Sequence, residues 1–236
     1  VVRGPLTVNP ALTTSGEVAM VGNPFQSIVD METVLNTSTN LQQSFVVWDP
    51  TLGGTPTPGV PGGRGAFVTV DVTTNTSNNA SSQMNKYLQP YQAAFVIATG
   101  SSPSLTFEES DKAVNESQLG VFSSQTSPHY IHMRLFDQLS FTNNDTSDDG
   151  LTIYFSPNSS NAVDTNDAPK FFNIDENLAR EESSDFISIE NRAMPQVDEI
   201  LPLHTSQYRT TDYVIEFEVG DFPNNEVYLY DNYTNT

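Results

Sequence analysis

The chain has 236 residues, of which 9 are Lys or Arg and 29 are Asp or Glu, and its net charge is −20. Such an acidic chain lacks the basic surface that phosphate backbones and anionic lipids require, which excludes nucleic acid and argues against anionic membranes as partners. There is no cysteine, so a disulfide framework cannot hold the fold and the core must do so. The longest apolar run, Ala93–Ala98, is too short for membrane insertion.

The amino-terminal part predicts short strands joined by a rigid turn. The first residue is Val1 rather than Met, which we interpret as a processed or excised piece of a longer protein. Residues 6–8 and 17–21 have the pattern of short strands. Asn23-Pro24 can neither continue a helix nor add a donor to a strand, so the chain must turn there. Residues 30–35 predict one or two helical turns capped by Asp30.

The next hundred residues predict further strands separated by polar loops. Residues 44–48 (SFVVW) form a continuous apolar run that indicates a buried strand, with Trp48 expected to pack in the core. Residues 51–64 contain three prolines and five glycines, which predicts an exposed loop. Residues 66–72 alternate as a strand does. Residues 91–99 and 105–107 predict a hairpin.

The polar stretch at residues 110–120 predicts a boundary between two domains, 1–117 and 118–236. Beyond it, strands are predicted over 129–136, 151–155, 186–189, 213–219 and 227–230. Turns of Asn, Asp, Ser and Pro separate these strands. The sequence therefore predicts an all-β fold of two β-sandwich or jelly-roll-like domains with very little helix.

Several motifs resemble those of Bacteroidota cell-surface and secreted proteins exported by the type IX secretion system. In the first half these are residues 21–27 (VGNPFQS), 45–49 (FVVWD) and 88–96 (LQPYQAAFV). In the second half they are residues 164–170 (DTNDAPK) and the series 200–203, 213–219 and 227–233. The C-terminal sorting domain of such proteins is not among these residues. The resemblance implies an extracellular or outer-surface location.

Two acidic turns are candidate calcium sites. Asp145, Ser147 and Asp149 precede Gly150 at a spacing that approximates the start of an EF-hand-like loop, although Ser156 occupies the position of the bidentate acid. Asp164 and Asp167 form a second acidic turn. Hard oxygen donors on a tight turn are what Ca²⁺ requires. The alternative is that both are ordinary solvated turns, the first being a hairpin turn.

Catalytic signatures are not evident in the sequence. His129 and His132 are three residues apart in a predicted strand and would face opposite sides, and His204 is remote in sequence. There is no cysteine and no nucleophile elbow of the form Gly-x-Ser-x-Gly. Any pair of carboxylates chosen as a glycosidase site among so many acids would be arbitrary. We therefore predict a non-catalytic chain without a catalytic residue or an organic cofactor.

Aromatic residues offer a different kind of binding surface. An aromatic face can stack on a sugar ring while neighbouring Asn and Asp side chains bind its hydroxyl groups. The alternative is that these residues are ordinary members of β-sheets. The candidates for such a platform are Trp48, Tyr87, Tyr91, Tyr130, Tyr154 and Tyr230.

Three functional hypotheses remain open. The first is a non-catalytic adhesin, stalk or cargo segment exported by type IX secretion, whose partners are the export machinery or other surface proteins. The second is a carbohydrate-binding module assisted by calcium. The third and weaker one is a glycan-active enzyme, which would need a cleft with two facing carboxylates.

Overall fold

The computed structural model describes residues 2–54, 64–113, 129–222 and 226–234. Strands dominate these residues, and the helices among them are short, which confirms the predicted all-β class. The elements in chain order are β1 (Leu6–Val8), β2 (Val18–Gly22), β3 (Val29–Asp30), α1 (Met31–Thr37), β4 (Leu41–Asp49), β5 (Ala66–Asp71), β6 (Thr76–Ser77), β7 (Tyr87–Leu88), β8 (Ala93–Ala98), β9 (Leu105–Phe107), a 3-10 turn (Glu109–Asp111), β10 (Tyr130–Asp137), α2 (Gln138–Asn143), β11 (Asp149–Phe155), β12 (Ala168–Pro169), β13 (Asn177–Glu182), β14 (Asp185–Arg192), β15 (Leu203–Ser206) and β16 (Tyr213–Val219).

The first half of the chain builds a five-stranded antiparallel sheet in the order β2-β8-β4-β5-β6. Two-stranded pairings of β1 with β9 and of β3 with β7 accompany it. Alternate residues of β4, such as Phe45 and Val47, point into an apolar core that also contains Met31, Val34 and Leu35 of α1. The amphipathic pattern of both elements therefore determines how they pack.

Side-chain hydrogen bonds fix the turn and the helix start that lead into this core. The Asp30 side chain accepts a hydrogen bond of 2.9 Å from the Glu32 N–H, which confirms its predicted role as the cap of α1. In the turn that precedes it, Asn23 is buried and donates through Nδ2 to the carbonyls of Ser27 and Leu88 at 2.9 and 3.0 Å. The Asn-Pro turn is thus tied to β7 as well as to itself.

The second half builds a larger sheet in the order β15-β13-β14-β11-β10-β16, with β12 also paired to β14. Only the pairing of β11 with β14 is parallel among the described strands. One face carries the apolar cluster of Ile131, Leu135, Ile153, Phe155 and Leu178. This sheet also buries charged side chains, among them Arg180, Glu190 and Arg192.

The structure corrects three expectations from the sequence. The predicted hairpin over residues 91–107 is wrong, because β8 pairs with β2 and β4 whereas β9 pairs with β1. Residues 227–230 form no strand. The side chain of Trp48 does not enter the core: the residue is 41% exposed, since it faces away from Phe45 and Val47 on the alternating strand.

The predicted boundary near residue 118 lies outside the described residues, which omit 114–128. Within the described ranges no helix is long and apolar enough to cross a bilayer.

Candidate functional site

The ends of the Gly- and Pro-rich segment lie between the two sheets. Residues 55–63 are outside the description, but Leu52, Gly53 and Gly54 before them are buried, contrary to the expected exposure of the whole loop. The Gly53 N–H donates to the Ser147 carbonyl at 3.2 Å. Gly54 has a φ of +72°, and a Cβ there would lie 2.6 Å from Ser140 Oγ. Only glycine allows this close approach without rearrangement.

Arg64 extends from the end of that segment to carboxylates of the second sheet. Its guanidinium donates to Asp148 Oδ1 at 2.9 Å, to Asp175 Oδ2 at 2.9 Å and to Glu176 Oε2 at 3.0 Å. Its Nε donates to the Gly53 carbonyl at 3.0 Å. The planar guanidinium can serve several oxygens at once, which an ammonium group does less well. Arg64 therefore couples the two halves of the chain.

A second arginine shares these acids. Arg209 Nε lies 2.7 Å from Glu176 Oε1, and its Nη2 lies 3.8 Å from both Asp137 Oδ2 and Asp148 Oδ1. The Tyr213 hydroxyl also donates to Glu176, at 2.8 Å. We name the cluster of Arg64, Arg209, Asp137, Asp148, Asp175 and Glu176 the junction network. Its four carboxylates exceed its two guanidinium groups, so the ionised network is acidic.

The acids of the junction network titrate differently. Burial raises the pKa of Asp148 to about 6, and the nearby charges of Glu176 and Asp137 add to that effect against Arg64. Burial also acts on Glu176, but hydrogen bonds from Arg209, Tyr213 and Arg64 outweigh it and lower its pKa. The pKa of Asp137 is lowered because hydrogen bonds from Ser140 outweigh its burial. Asp148 is therefore the proton-binding group of the network near pH 6.

Aromatic rings form a second contact between the halves. Phe171 lies 4.7 Å from the Phe67 ring at an interplanar angle of 70°, and it stacks on Phe95 at 5.1 Å. The Phe67 N–H donates to Asn173 Oδ1 at 2.7 Å. Trp48 meets Phe67 edge-on at 4.9 Å. This face of the first sheet is therefore partly covered by the second half of the chain.

A polar cleft of about 600 Å³ lies between β4 and the loop that precedes β12. Gln42 and Thr99 line it from the first half, and Asn158, Thr165 and Asn166 line it from the second. Two of the predicted metal ligands, Asp164 and Asp167, also line it. Amide, hydroxyl and carboxylate groups in one cleft suit a ligand that carries many hydroxyl groups.

The first predicted calcium turn directs the side chains of Ser147 and Asp149 to different partners. The Asp145 N–H donates to the Ser140 carbonyl at the end of α2. Ser147 is buried and donates through Oγ to Asn79 Oδ1 at 2.8 Å. Asp149 is buried as the first residue of β11 and forms an ion pair with Lys170. Ser147 and Asp149 are therefore held by partners in different parts of the fold.

The second predicted turn is held by its own backbone. Asp167 Oδ2 accepts from the Asp164 N–H at 2.9 Å, and Asp167 Oδ1 accepts from the Asn191 N–H at 2.8 Å. Asp164 Oδ1 accepts from both nitrogens of Asn166, at 2.7 and 2.9 Å. Across the described ranges no group of three or more His, Asp or Glu side chains has an arrangement that could hold a metal ion. The calcium hypothesis stays a prediction.

The aromatic and histidine candidates are dispersed. Tyr130 faces Tyr154 in the register of β10 and β11, but Tyr154 is buried and cannot stack on a sugar. Tyr91 and Tyr230 are exposed outside any strand, and Tyr87 lies in β7. The histidines also have separate partners: the His132 ring forms a hydrogen bond with the Thr152 hydroxyl, whereas the His204 ring packs on Phe186. The six candidates, all of which lie in the described part of the chain, therefore do not form one exposed aromatic row.

Comparison of this chain with family models, with curated proteins and with solved structures found no match.

Sequence reasoning overlooked the junction network. Arg64 lies in the segment that the sequence predicts as an exposed loop, and no sequence pattern distinguishes Asp148, Glu176 and Arg209 from the other charged residues. One signal is present in the sequence: with 9 basic residues against 29 acidic ones, each arginine is a scarce partner for several acids.

Proposed function

We propose that this chain is a non-catalytic module of a secreted or cell-surface protein, in which the two sheet-bearing halves act as one rigid spacer or presenting unit. The observation that supports this proposal is Arg64, whose guanidinium joins the first half to Asp148, Asp175 and Glu176 of the second. A flexible tandem of domains would leave so many charged groups hydrated, because burying them has a cost.

The packed aromatic rings support the same proposal. Phe171 contacts both Phe67 and Phe95, so apolar area as well as charge joins the halves. The motifs similar to type IX secretion substrates support an outer-surface location for such a unit, with the export machinery or other surface proteins as partners.

Rigidity can be tested with a pair of spin labels. The chain has no cysteine, so Ser101→Cys and Ser184→Cys, both at exposed positions of opposite halves, give labels without background. We expect one narrow distance distribution for the otherwise wild-type chain. Arg64→Met should broaden it, whereas Arg3→Met, at an exposed position, should not. A broad distribution before any change at Arg64 would contradict the proposal.

The proposed location needs a separate experiment. Antibodies against the folded chain should label intact cells of the organism that makes it, and a strain without type IX secretion should lose that label. Labelling that appears only after lysis in both strains would contradict a surface location.

A second candidate function is calcium-assisted carbohydrate binding, and the observation that favours it is the polar cleft. Its lining by Gln42, Asn158, Thr165 and two acids supplies both donors and acceptors for sugar hydroxyl groups. Asp164 and Asp167 lie in the same cleft, so a bound ion would be next to the sugar.

A glycan array probed with and without EGTA tests this candidate. If calcium binds, a concentration about 100 times its Kd should stabilise the fold by about 2.7 kcal/mol. Asp164→Asn should weaken both the calcium-induced thermal shift and glycan binding. Asp185→Asn, which changes an exposed acid that does not line the cleft, should leave both unchanged. No binding on the array and no calcium shift would remove the candidate.

A further inference from the structure

The most deeply buried charged pair among the described residues joins Asp149, a residue of the first predicted calcium turn, to Lys170. Lys170 Nζ contacts Asp149 Oδ2, and each side chain is only 1% exposed. Asp149 begins β11, while Lys170 directly follows β12 and donates its backbone N–H to the Phe186 carbonyl of β14 at 2.8 Å. Both backbones are therefore fixed by the sheet, and the two side chains have little freedom to separate.

The second polar neighbour of Asp149 is a backbone amide. The Leu178 N–H donates to Oδ2 at 2.6 Å. Asp149 Oδ1 is buried and has no hydrogen-bond partner of normal geometry, although the Gly150 amide acts on the carboxyl from close by. One carboxylate oxygen is thus well held and the other is not. A buried acceptor without a donor has a substantial cost.

We propose that Lys170 and Asp149 become joined by an intramolecular isopeptide bond between Nζ and Cγ, formed with the loss of one water molecule. The same contact between a buried amine and a buried carboxyl also describes a plain ion pair. The covalent form differs because it removes both buried charges and the unpaired oxygen together, whereas the ion pair retains all three.

The environment favours the neutral reactants. Both side chains are only 1% exposed, so their charged forms have little hydration. In a medium of low dielectric constant, transfer of the ammonium proton to the carboxylate gives an amine and a carboxylic acid, and this removes two desolvated charges. The amine is then a nucleophile next to an acid that can lose a hydroxyl group.

The step balances without any further reactant. The ammonium of Lys170 first gives a proton to Oδ2, the oxygen that it contacts. The lone pair of Nζ then attacks Cγ, and the negative charge that develops on Oδ1 is neutralised by one proton from Nζ. As the bond from Cγ to Oδ1 breaks, Oδ1 also takes the proton of Oδ2 and departs as water, while Oδ2 becomes the amide oxygen and keeps its hydrogen bond from the Leu178 N–H. The products are an amide and one water molecule, and no atom is oxidised or reduced. Held geometry supplies the effective concentration for such a reaction.

The product would also fit the site. Oδ2 becomes the amide oxygen and still accepts from the Leu178 N–H, and the unpartnered Oδ1 is gone. The bond closes the chain between residues 149 and 170. In a protein without cysteine, such a covalent closure would restrict the unfolded chain as a disulfide does.

Mass spectrometry of the full chain tests the proposal directly. The intact wild-type protein should weigh less than its sequence by one water. Because trypsin cannot cut after a lysine whose Nζ is acylated, the digest should contain one peptide over residues 135–180, lighter by one water. It should lack the separate peptides 135–170 and 171–180 that the sequence predicts. Fragment ions should place the linkage between positions 149 and 170.

The control must separate this bond from another dehydration. Asp149 precedes Gly150, and an Asp-Gly pair can lose water to form a succinimide, which leaves cleavage after Lys170 intact. Lys170→Arg retains the positive charge and the trypsin site but cannot form the stable amide. It should have the full sequence mass, normal cleavage after position 170 and a melting temperature several degrees lower.

Two results would overturn the proposal. One is a wild-type chain of full sequence mass, and the other is a mass loss accompanied by normal cleavage after Lys170. Both are measured on the wild-type protein, so they remain decisive if the variant fails to fold.

Discussion

The two sheets bury different kinds of side chain. Beneath the five-stranded sheet lie aliphatic and aromatic residues such as Phe25, Phe45 and Phe107, and its buried acids, Asp49 and Asp71, are bound by neighbouring hydroxyl groups rather than by cations. The seven-stranded sheet buries Arg180, Arg192 and Glu190 in addition to its apolar cluster. An apolar core tolerates many substitutions of similar volume, whereas a buried charge depends on particular partners. The fold of the first half therefore depends mainly on its hydrophobic pattern, whereas that of the second half also depends on particular ion pairs.

The largest expected effect tests that contrast. Phe45→Ala should cost about 3–5 kcal/mol by loss of burial and creation of a cavity. Arg180→Met should cost a similar amount, about 3–5 kcal/mol, because Arg180 Nε lies 3.3 Å from Glu190 Oε2 and its loss leaves the acid with less compensation. Chemical denaturation of the two variants and the wild type measures both losses.

The pH dependence distinguishes the two variants. Burial already raises the pKa of Glu190, opposed by Arg192 and Arg180, so loss of Arg180 should raise it further. Acidification should then recover part of the loss relative to wild type in Arg180→Met but none in Phe45→Ala. If the loss of stability changes between pH 5 and pH 8 by the same amount in both variants, the buried ion pairs do not distinguish the second half from the first.

The next effect concerns the contact between the halves. A Cβ on Gly150 would lie 2.6 Å from the Asn78 carbonyl oxygen, and backbone on both sides leaves little room to move. Gly150→Ala should therefore destabilise the protein by about 1–3 kcal/mol, as overpacking does. At Gly22 nothing lies within 4 Å, so Gly22→Ala is the matched control and should change thermal stability by less than about 0.5 kcal/mol.

Asp148 gives a smaller and pH-dependent effect. Its pKa in the folded chain, about 6, exceeds its ordinary value of 3.8, so the folded state binds this proton more tightly than the unfolded state. Its contribution to stability is therefore most favourable at low pH and declines as the pH rises from 3.8 to about 6. The decline is at most about 3 kcal/mol, which is the free energy equivalent of the difference between the two pKa values.

Asp148→Asn should flatten this part of the stability curve. Urea denaturation at intervals across that pH window measures the slope for the variant and the wild type. Asp185→Asn, at an exposed position, provides the control and should retain the wild-type slope. An unchanged slope in Asp148→Asn would assign the proton to another acid of the junction network.

The sequence predicted what depends on local pattern. The strand at β4, the cap at Asp30 and the all-β class follow from alternation and from side-chain chemistry within a few residues. The pairing of β8 with β2 rather than β9 involves residues about 75 positions apart, and hydrophobic alternation alone does not select a partner strand. Exposure of Trp48 follows from the same alternation once Phe45 and Val47 are assigned to the core.

The ion pairs could not be predicted from local sequence patterns. Arg64 and Glu176 are separated by 112 residues in the sequence, and nothing near either residue identifies the other. The sequence predicts Asp149 as a calcium ligand because of its turn, but its partner in the structure is Lys170. Lys170 is the last residue of the motif at 164–170, next to the second predicted turn. The composition does indicate that buried arginines and lysines have several possible partners, because the chain contains far fewer basic than acidic residues.

The smallest expected effect compares the caps of the two helices. Asp30 caps α1 and lies 3.1 Å from Lys86 Nζ at a partly exposed position, whereas Asp137 caps α2 inside the junction network. Asp30→Ala should cost about 1 kcal/mol, while Asp30→Asn should retain the cap and lose only a partly exposed ion pair of about 1 kcal/mol.

Salt separates the two contributions. High ionic strength screens exposed charges but has less effect on buried ones, so the loss in Asp30→Asn should disappear in concentrated salt. The loss in Asp137→Asn should persist, since that carboxylate accepts two hydrogen bonds of 2.8 Å from Ser140, and salt screens such short-range bonds less than it screens an ion pair. Thermal melting of both variants at low and high salt measures the difference. If salt removes both losses equally, Asp137 behaves as a surface cap, and the charged interior of the second half does not extend to α2.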